Sequence, residues 1–508
     1  MKVVLISTYE LGHQPFGLAS PAAWLRRAGA EVICLDLSRQ NLHEDAIRAA
    51  DLVAFYVPMH TATRLAIPLI EPVRRLNRRA QLCFYGLYAP VNEVYLRDLG
   101  VDSIFGGEFE AALAELVTQL AEGEVGASKR EGSGVAANLR SGANRNASKQ
   151  STANAASGSW GAISLERLNF IPPDRGGLPP LRQYAHLLMP EGGFKVAGYT
   201  EASRGCKHLC RHCPVVPVYN GVFRIVQRDV VMEDIRRQVD AGAEHITFGD
   251  PDFFNGPAHA LAIVEAMHRE FPQLSYDVTI KIEHLLQHKD AVRKLRDTGC
   301  LFATSAVESV DDAILARLAK GHTRTDFLAV VADFRELGLI LQPTFVPFTP
   351  WTTLAGYREL LALIAEQDLA ENVAPIQLGI RLLIPAGSRL LELEEVRTAI
   401  GDFDASGLAY PWKHPDPRMD MLSEGVQDLA NDGHRLNRSR TETFKRIWRT
   451  AQELAGETAG FDIVPANSAA RKIPHFAEPW YCCAEPTRDQ FAAMASEARF
   501  AASPDTFV

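Results

Sequence analysis

Three cysteines stand within eight residues in ASRGCKHLCRHCPV, at positions 206, 210 and 213. Thiolates are the ligands that iron–sulfur centres require, and one short loop carrying three of them can wrap a single inorganic centre. The number three is informative. A cubane of four irons held by three thiolates keeps one iron open to another molecule. Zinc is the competing reading, with His208 or His212 as fourth ligand, because Cys and His at short spacing also suit a tetrahedral ion. Zinc loops usually come as two separated pairs, whereas these ligands are clustered behind an expected strand, which favours the iron–sulfur reading.

Cys482 and Cys483 are adjacent in PWYCCAEPTRDQF. Neighbouring α-carbons across a trans peptide are about 3.8 Å apart, below the usual span of a relaxed disulfide, so this pair should exist as thiols. Two adjacent thiolates suit one soft acceptor atom or the delivery of reducing equivalents. The plainer alternative is a buried pair in an aromatic docking segment. Cys34, Cys83 and Cys300 stand singly in VICLDL, QLCFYG and GCLFAT, where lone thiols behave as small hydrophobes. Eight cysteines so unevenly placed in 508 residues do not make a disulfide scaffold.

The triplet must be held by rigid elements. Strands predicted at 194–200, 244–250, 274–280, 301–307, 341–347 and 376–383 alternate with amphipathic segments such as DVVMEDIRRQVDAG and PAHALAIVEAMHREF. Six such βα units predict a partial parallel barrel over residues 194–395, with its chemistry on the loops at the carboxyl ends of the strands. The cysteines fall on the first of those loops. Residues 1–122 place VVLIS, VICLDL, LVAFYV, LCFYG and IFGG between helical stretches, a doubly wound α/β pattern. Residues 123–159, rich in Gly, Ala, Ser and Asn, read as a flexible linker. A Pro- and Gly-rich segment at 160–193 bridges to the barrel, and residues 396–508 form a mixed extension carrying the cysteine pair. The expected class is therefore α/β, with a doubly wound domain, a partial (β/α)6 barrel and a carboxyl-terminal extension.

Length supports two or three domains, and 47% apolar with 23% charged residues is an ordinary globular composition. A net charge of −9 with no long Lys/Arg run gives no footprint for nucleic acid and no polybasic anchor for a membrane. A small-molecule substrate fits better. No run of about 18 apolar residues is present, and MKVVLISTYELG reads as a first strand rather than a signal peptide. These features predict a cytoplasmic protein.

The Cys-x3-Cys-x2-Cys spacing resembles that of radical S-adenosylmethionine (SAM) enzymes. The resemblance implies that Cys206, Cys210 and Cys213 hold a 4Fe–4S cluster that reductively cleaves SAM, with electrons from an external donor such as flavodoxin or ferredoxin. ITFGDPDFF at 246–254 is similar to the loop that receives the SAM amino group, which implies roles for Gly249 and Asp250. The usual Gly-Gly-Glu form is absent there. VESVDDAILARLAKGHT at 307–323 is similar to the segment that approaches the SAM ribose, which implies roles for Glu308 and Ser309. LLIPAGSRLLE at 382–392 is similar to the sixth-strand Pro-x-Gly-[ST]-x-L element. Structural alternatives exist: Asp250 and Asp252 as turn residues bonding their own backbone, and Glu308 with Ser309 as the first turn of a helix.

Residues 1–122 resemble the cobalamin-binding-type domain found ahead of many radical SAM barrels. Gly17, Gly86, Gly106 and Gly107 are expected at strand ends, where a doubly wound sheet binds ligands, and Gly86 and Gly107 are the expected contacts. No Asp-x-His-x-x-Gly segment is present, and His13 and His60 lie outside such a context. The resemblance implies either cobalamin without a histidine axial ligand or a fold that has lost the cofactor. The tail resembles that of CCAEP-tail radical SAM proteins, which implies chemistry at Cys482 and Cys483. The leading expectation is transfer of a SAM-derived methyl or 3-amino-3-carboxypropyl group to a small acceptor in natural-product biosynthesis. A thiophilic acceptor such as trivalent arsenic would suit the cysteine pair. The alternative, from a different class, is a zinc-stabilised cobalamin carrier or sensor without catalysis.

Overall fold

A computed structural model describes residues 1–123, 162–457 and 472–477. The expected linker lies, apart from Gly123, outside the described residues, and so do Cys482 and Cys483.

The apolar runs of the amino-terminal region become five parallel strands: β1 (Lys2–Ser7), β2 (Glu31–Asp36), β3 (Leu52–Tyr56), β4 (Gln81–Tyr85) and β5 (Ser103–Gly107). Their order is β2-β1-β3-β4-β5, with the reversal beside β1 that marks a doubly wound sheet. Helices cover both faces, so the strands are apolar throughout rather than alternating; every residue of β3 is buried. One face packs against a cluster around Val4, Phe55 and Phe84, the other against Leu5, Leu25 and Leu113.

The bridging segment belongs to two sheets. It adds β6 (Ile163–Ser164) parallel to β5, and then β7 (His186–Leu188) antiparallel to β8 (Phe194–Thr200), the first barrel strand. Between them Arg175 forks onto Asp234 at 3.0 and 2.9 Å and donates to Gln14 Oε1 at 2.9 Å, tying barrel and amino-terminal domain together. After β8 comes a hairpin of β9 (Ser203–Gly205) and β10 (Phe223–Ile225).

The barrel continues with β11 (His245–Phe248), β12 (Ser275–Thr279), β13 (Cys300–Glu308) and β14 (Ile340–Phe345), all parallel to β8, while β15 (His475–Phe476) pairs antiparallel with β7. The order β14-β13-β12-β11-β8-β7-β15 makes a curled half-barrel around a core that includes Phe248, Tyr276 and Phe345. Five of the six predicted strands are present. The sixth, at 376–383, is not a ladder strand. Pro375–Leu378 winds into a 3-10 turn, and Arg381 makes a single bridge to Phe348. The reason is tertiary: Gln427 donates to the Gly379 carbonyl at 2.9 Å and the Trp412 indole to the Leu382 carbonyl at 2.8 Å, so side chains take acceptors that a further strand would use.

The extension, whose fold sequence patterning left open, contributes helices Pro417–Arg435 and Arg440–Leu454. They pack closely at Gly433, where a Cβ would stand 2.5 Å from Thr443 Oγ1. No helix among the described residues is long and apolar enough to cross a membrane.

Candidate functional site

The carboxyl ends of both sheets face one cavity of about 1040 Å³. All three cysteines of the triplet line it. The β9/β10 hairpin clamps residues 206–222 between its strands. Gly205 starts that loop at φ +74°, and a Cβ there would meet the Tyr219 ring at 2.3 Å, so the turn into Cys206 requires glycine. Cys210 is buried, Cys206 and Cys213 are half-buried, and none of the six described cysteines forms a disulfide. Burial pushes the Cys206 thiol up to about 11, so a metal must displace its proton to bind.

On one flank of the loop stands Glu308, the last residue of β13. It accepts from His212 Nε2 at 3.1 Å and from Lys320 Nζ at 3.4 Å, and all three side chains are buried. Burial alone would raise this carboxyl, but the Lys320 charge and the His212 bond outweigh it and hold the group down at about 2. Its backbone sits at φ +69°, where β13 slips register against β14. A non-glycine residue in that conformation is costly and recurs at functional sites.

Asp250 holds the other flank, at the end of the loop after β11. Its carboxylate accepts from the Ala202 N–H at 2.9 Å and the Ser203 hydroxyl at 2.6 Å, two residues of the strand leading to the cysteines. Here burial dominates those neutral donors, and the carboxyl is raised to about 7. The neighbouring Gly249 is needed for close approach, since a Cβ would fall 1.8 Å from the Tyr199 hydroxyl.

Arg204 ties the loop to the amino-terminal domain. Its guanidinium forks onto Glu110 at 2.6 and 2.8 Å, reaches Glu201 at 2.7 Å and lies 3.4 Å from Glu108. Tyr219, which follows the triplet, donates to Glu108 at 3.1 Å. One cation among three buried carboxyls is too little charge. Burial, against the attraction of Arg204, raises Glu108 to about 7.

The remaining sequence-derived residues divide. Gly249, Asp250, Glu308 and Gly107 line the cavity with the cysteines; Gly86 and Ser309 are not on its wall. Gly86 follows β4 at φ +110°, and Gly107 ends β5 with Ser164 O 2.1 Å from where a Cβ would be. Gly17 lies inside helix Phe16–Arg27 rather than at a strand end, with the Tyr56 ring in its Cβ position. Ser309 Oγ accepts from the Asp311 N–H at 3.1 Å, a turn contact. Lys320 and Arg204 were not singled out from the sequence, and His212, read there as a candidate zinc ligand, instead bonds Glu308. Lys320 lies in the quoted LAKGHT run and Arg204 directly before Gly-Cys, so each was adjacent to a motif without being part of it.

A half-barrel with three cysteines on its first loop defines a class, and residues 200–352 match the model of the Radical SAM superfamily. The whole described fold resembles, at a TM-score of 0.63 and 14% identity, the cobalamin-dependent S-adenosylmethionine radical enzyme OxsB with aqua-cobalamin and S-adenosylmethionine bound, over 90% of this chain and 70% of that one. The radical S-adenosylmethionine methyltransferase TsrM from Kitasatospora setae, with cobalamin and [4Fe-4S] cluster bound, is similar at a TM-score of 0.60 and 15% identity over 90% of this chain and all of that one. By sequence, the hopanoid C-3 methylase of Methylococcus capsulatus is 25% identical over 351 residues, 66% of this chain and 62% of the relative. The chain thus spans less than two thirds of the length of that curated relative.

Proposed function

We propose that this chain is a radical SAM enzyme that transfers a SAM-derived methyl group to a small-molecule acceptor, with a 4Fe–4S cluster and cobalamin sharing the interdomain cavity. The observation that carries this reading is the single cavity bounded by the carboxyl edges of both sheets. At about 1040 Å³ it stands at the top of the ~300–1,000 Å³ range of small-molecule sites. The donor set fits a cluster: Cys206, Cys210 and Cys213 are thiols on one loop, without a nearby disulfide. The opposite wall, with Phe16, Tyr56 and Phe109 from the amino-terminal domain, offers an apolar face to a flat macrocycle. When bound, the cluster supplies an electron to the SAM sulfonium and cobalamin supplies a methyl carrier.

The protein's own residues have separate tasks. The three cysteines hold the cluster. Glu308, fixed as an anion by Lys320 and His212, presents negative charge to the SAM ribose or amino group. Asp250 braces the strand before the cysteines, and Gly249 with it leaves room for SAM. Gly107, at the end of β5, lies on the cavity wall where cobalamin would sit. No histidine ligates cobalt in this reading. His60 gives Nε2 to the Gly407 carbonyl at 2.6 Å, and His13 packs with Tyr199 and Phe476 at ring separations of 5.0 and 5.2 Å. Cys482 and Cys483 handle the acceptor, which a soft atom such as trivalent arsenic would suit. An external donor such as flavodoxin or ferredoxin delivers electrons.

Anaerobic turnover with SAM labelled separately in its methyl and aminocarboxypropyl groups tests the reading. Methyl label in product is expected; aminocarboxypropyl label would place this enzyme in the other transfer class. Replacing all three triplet cysteines with Ala should abolish iron loading and SAM cleavage in a folded protein, and a triple variant that still cleaves SAM would refute the proposal.

A further inference from the structure

His208 lies between the first two cysteines of the triplet but turns toward the loops after β11 and β12. Its Nε2 stands 3.2 Å from His284 Nε2 and 3.7 Å from Asp252 Oδ2. One donor atom from each of these three residues lies within 4.8 Å of the others. His284 Nδ1 is 2.7 Å from Asp252 Oδ2, yet neither atom has a hydrogen-bond partner, and both side chains are almost fully buried at 1% and 2% exposure. A close pair of buried polar atoms that are near but misaligned is costly.

We propose that His208, Asp252 and His284 form a binding site for a divalent cation of the zinc type, separate from the cysteine triplet. Bonds of ~2.0–2.1 Å in tetrahedral geometry put neighbouring donors about 3.3 Å apart, close to the two separations measured from His208 Nε2. Two imidazoles and one carboxylate suit borderline first-row ions such as Zn²⁺ and not a soft metal that demands thiolate. A hydrogen-bonded relay through the same residues would need the His284 Nδ1–H to align with Asp252, and it does not. A bound ion would give the orphaned Asp252 Oδ2 a partner.

The surroundings set the affinity. Glu283 Oε2 lies 3.6 Å from His208 Nδ1, outside hydrogen-bond reach while Lys281 Nζ donates to that nitrogen, so ligation through Nε2 requires the ammonium to turn aside and leave an Nδ1–H facing Glu283. Lys281 Nζ lies 3.1 Å from the same Nδ1 and 3.2 Å from Glu283, so its charge opposes the cation while its ammonium pairs with that carboxylate. The ion would pin the cysteine loop to two neighbouring βα loops without using a cysteine.

The test uses the full chain with Cys206, Cys210, Cys213, Cys482 and Cys483 all changed to Ser, stripped of metal and titrated anaerobically with Zn²⁺, and with Co²⁺ as a coloured substitute. One ion per chain is expected, with visible Co²⁺ bands and no thiolate charge-transfer band in the near ultraviolet. His208→Ala and His284→Gln should each weaken binding at least tenfold, with unchanged circular dichroism showing that the chain still folds; His208, on a loop, is the safer of the two. Lys281→Met should tighten binding, and the cluster-loaded wild type should take up one zinc beyond its iron. Absence of zinc binding in the five-cysteine variant, a thiolate band with Co²⁺, or unchanged affinity in both histidine variants would overturn the proposal.

Discussion

Asp250 and Glu308 flank the same cysteine loop and are equally hidden, at 2% and 7% exposure, yet their carboxyls are driven in opposite directions. Asp250 is raised to about 7 because burial faces only neutral donors from Ala202 and Ser203. Glu308 is held at about 2 because Lys320 and His212 overcome the same burial. Burial therefore does not decide whether a site carboxyl is charged; the presence of a cation does. The two flanks have different duties. One is a brace that can be neutral, the other a fixed anion held in a strained backbone.

Removing the cation should produce the largest change. Lys320→Met leaves Glu308 buried with His212 alone, and breaking one partner of a buried pair costs roughly 3–5 kcal/mol. The pH dependence supplies a second readout. Glu308 has a folded value near 2 against an ordinary 4.5, so its contribution is complete above about 4.5 and is lost as pH falls toward 2. Denaturant unfolding at pH 7 and pH 3 should therefore show the variant's deficit shrinking as acid is added. Equal deficits at both pH values would mean that Lys320 supports the fold by packing and not by charge.

The contrasting brace predicts a smaller effect of opposite sign in pH. Asp250 is raised from 3.8 to about 7, so its contribution is complete below 3.8 and declines as pH rises through 7. Asp250→Asn keeps an acceptor for the Ser203 hydroxyl but turns an amide toward the Ala202 N–H, at a cost of about 1 kcal/mol. That deficit should be largest below about pH 4 and should shrink and then reverse as pH rises toward 7, where the wild type bears the burden of a buried charge. A deficit that grows with pH would show Asp250 to be ionised and paired with something outside the described residues.

Sequence reading reached the frame of this cavity and the three cysteines on its wall, but not the partners of its carboxyls. Cys206, Cys210 and Cys213 were legible because inorganic chemistry restricts residue type and spacing, and β8 and β11 to β14 because apolar runs of strand length recur between helical ones. The sixth strand misled because its apolar run at 376–383 is identical in pattern to a strand, while the groups that divert it, Gln427 and Trp412, lie 30 or more residues away. Lys320 and Arg204 escaped for the same reason. A lysine twelve residues after Glu308 and an arginine answering Glu110 from 94 residues away gain meaning only when the chain is folded.

The smallest expected effect concerns Ser309, the neighbour of Glu308 that the family resemblance paired with SAM. Its hydroxyl accepts from the Asp311 N–H at 3.1 Å and it does not line the cavity. The helix that follows, Asp312–Leu318, already has its own cap, since the Asp311 side chain accepts from the Ala313 and Ile314 N–H groups at 2.8 and 3.2 Å. Ser309→Ala therefore removes one turn contact beside an intact cap, and the expected change in stability is within about 0.5 kcal/mol. SAM affinity, measured calorimetrically on the cluster-loaded protein, should be unchanged, in contrast to Glu308→Gln, which removes the fixed anion from the same segment. A several-fold loss of affinity in the serine variant would extend the ligand-facing surface one residue past Glu308 and make that flank a two-residue binding element.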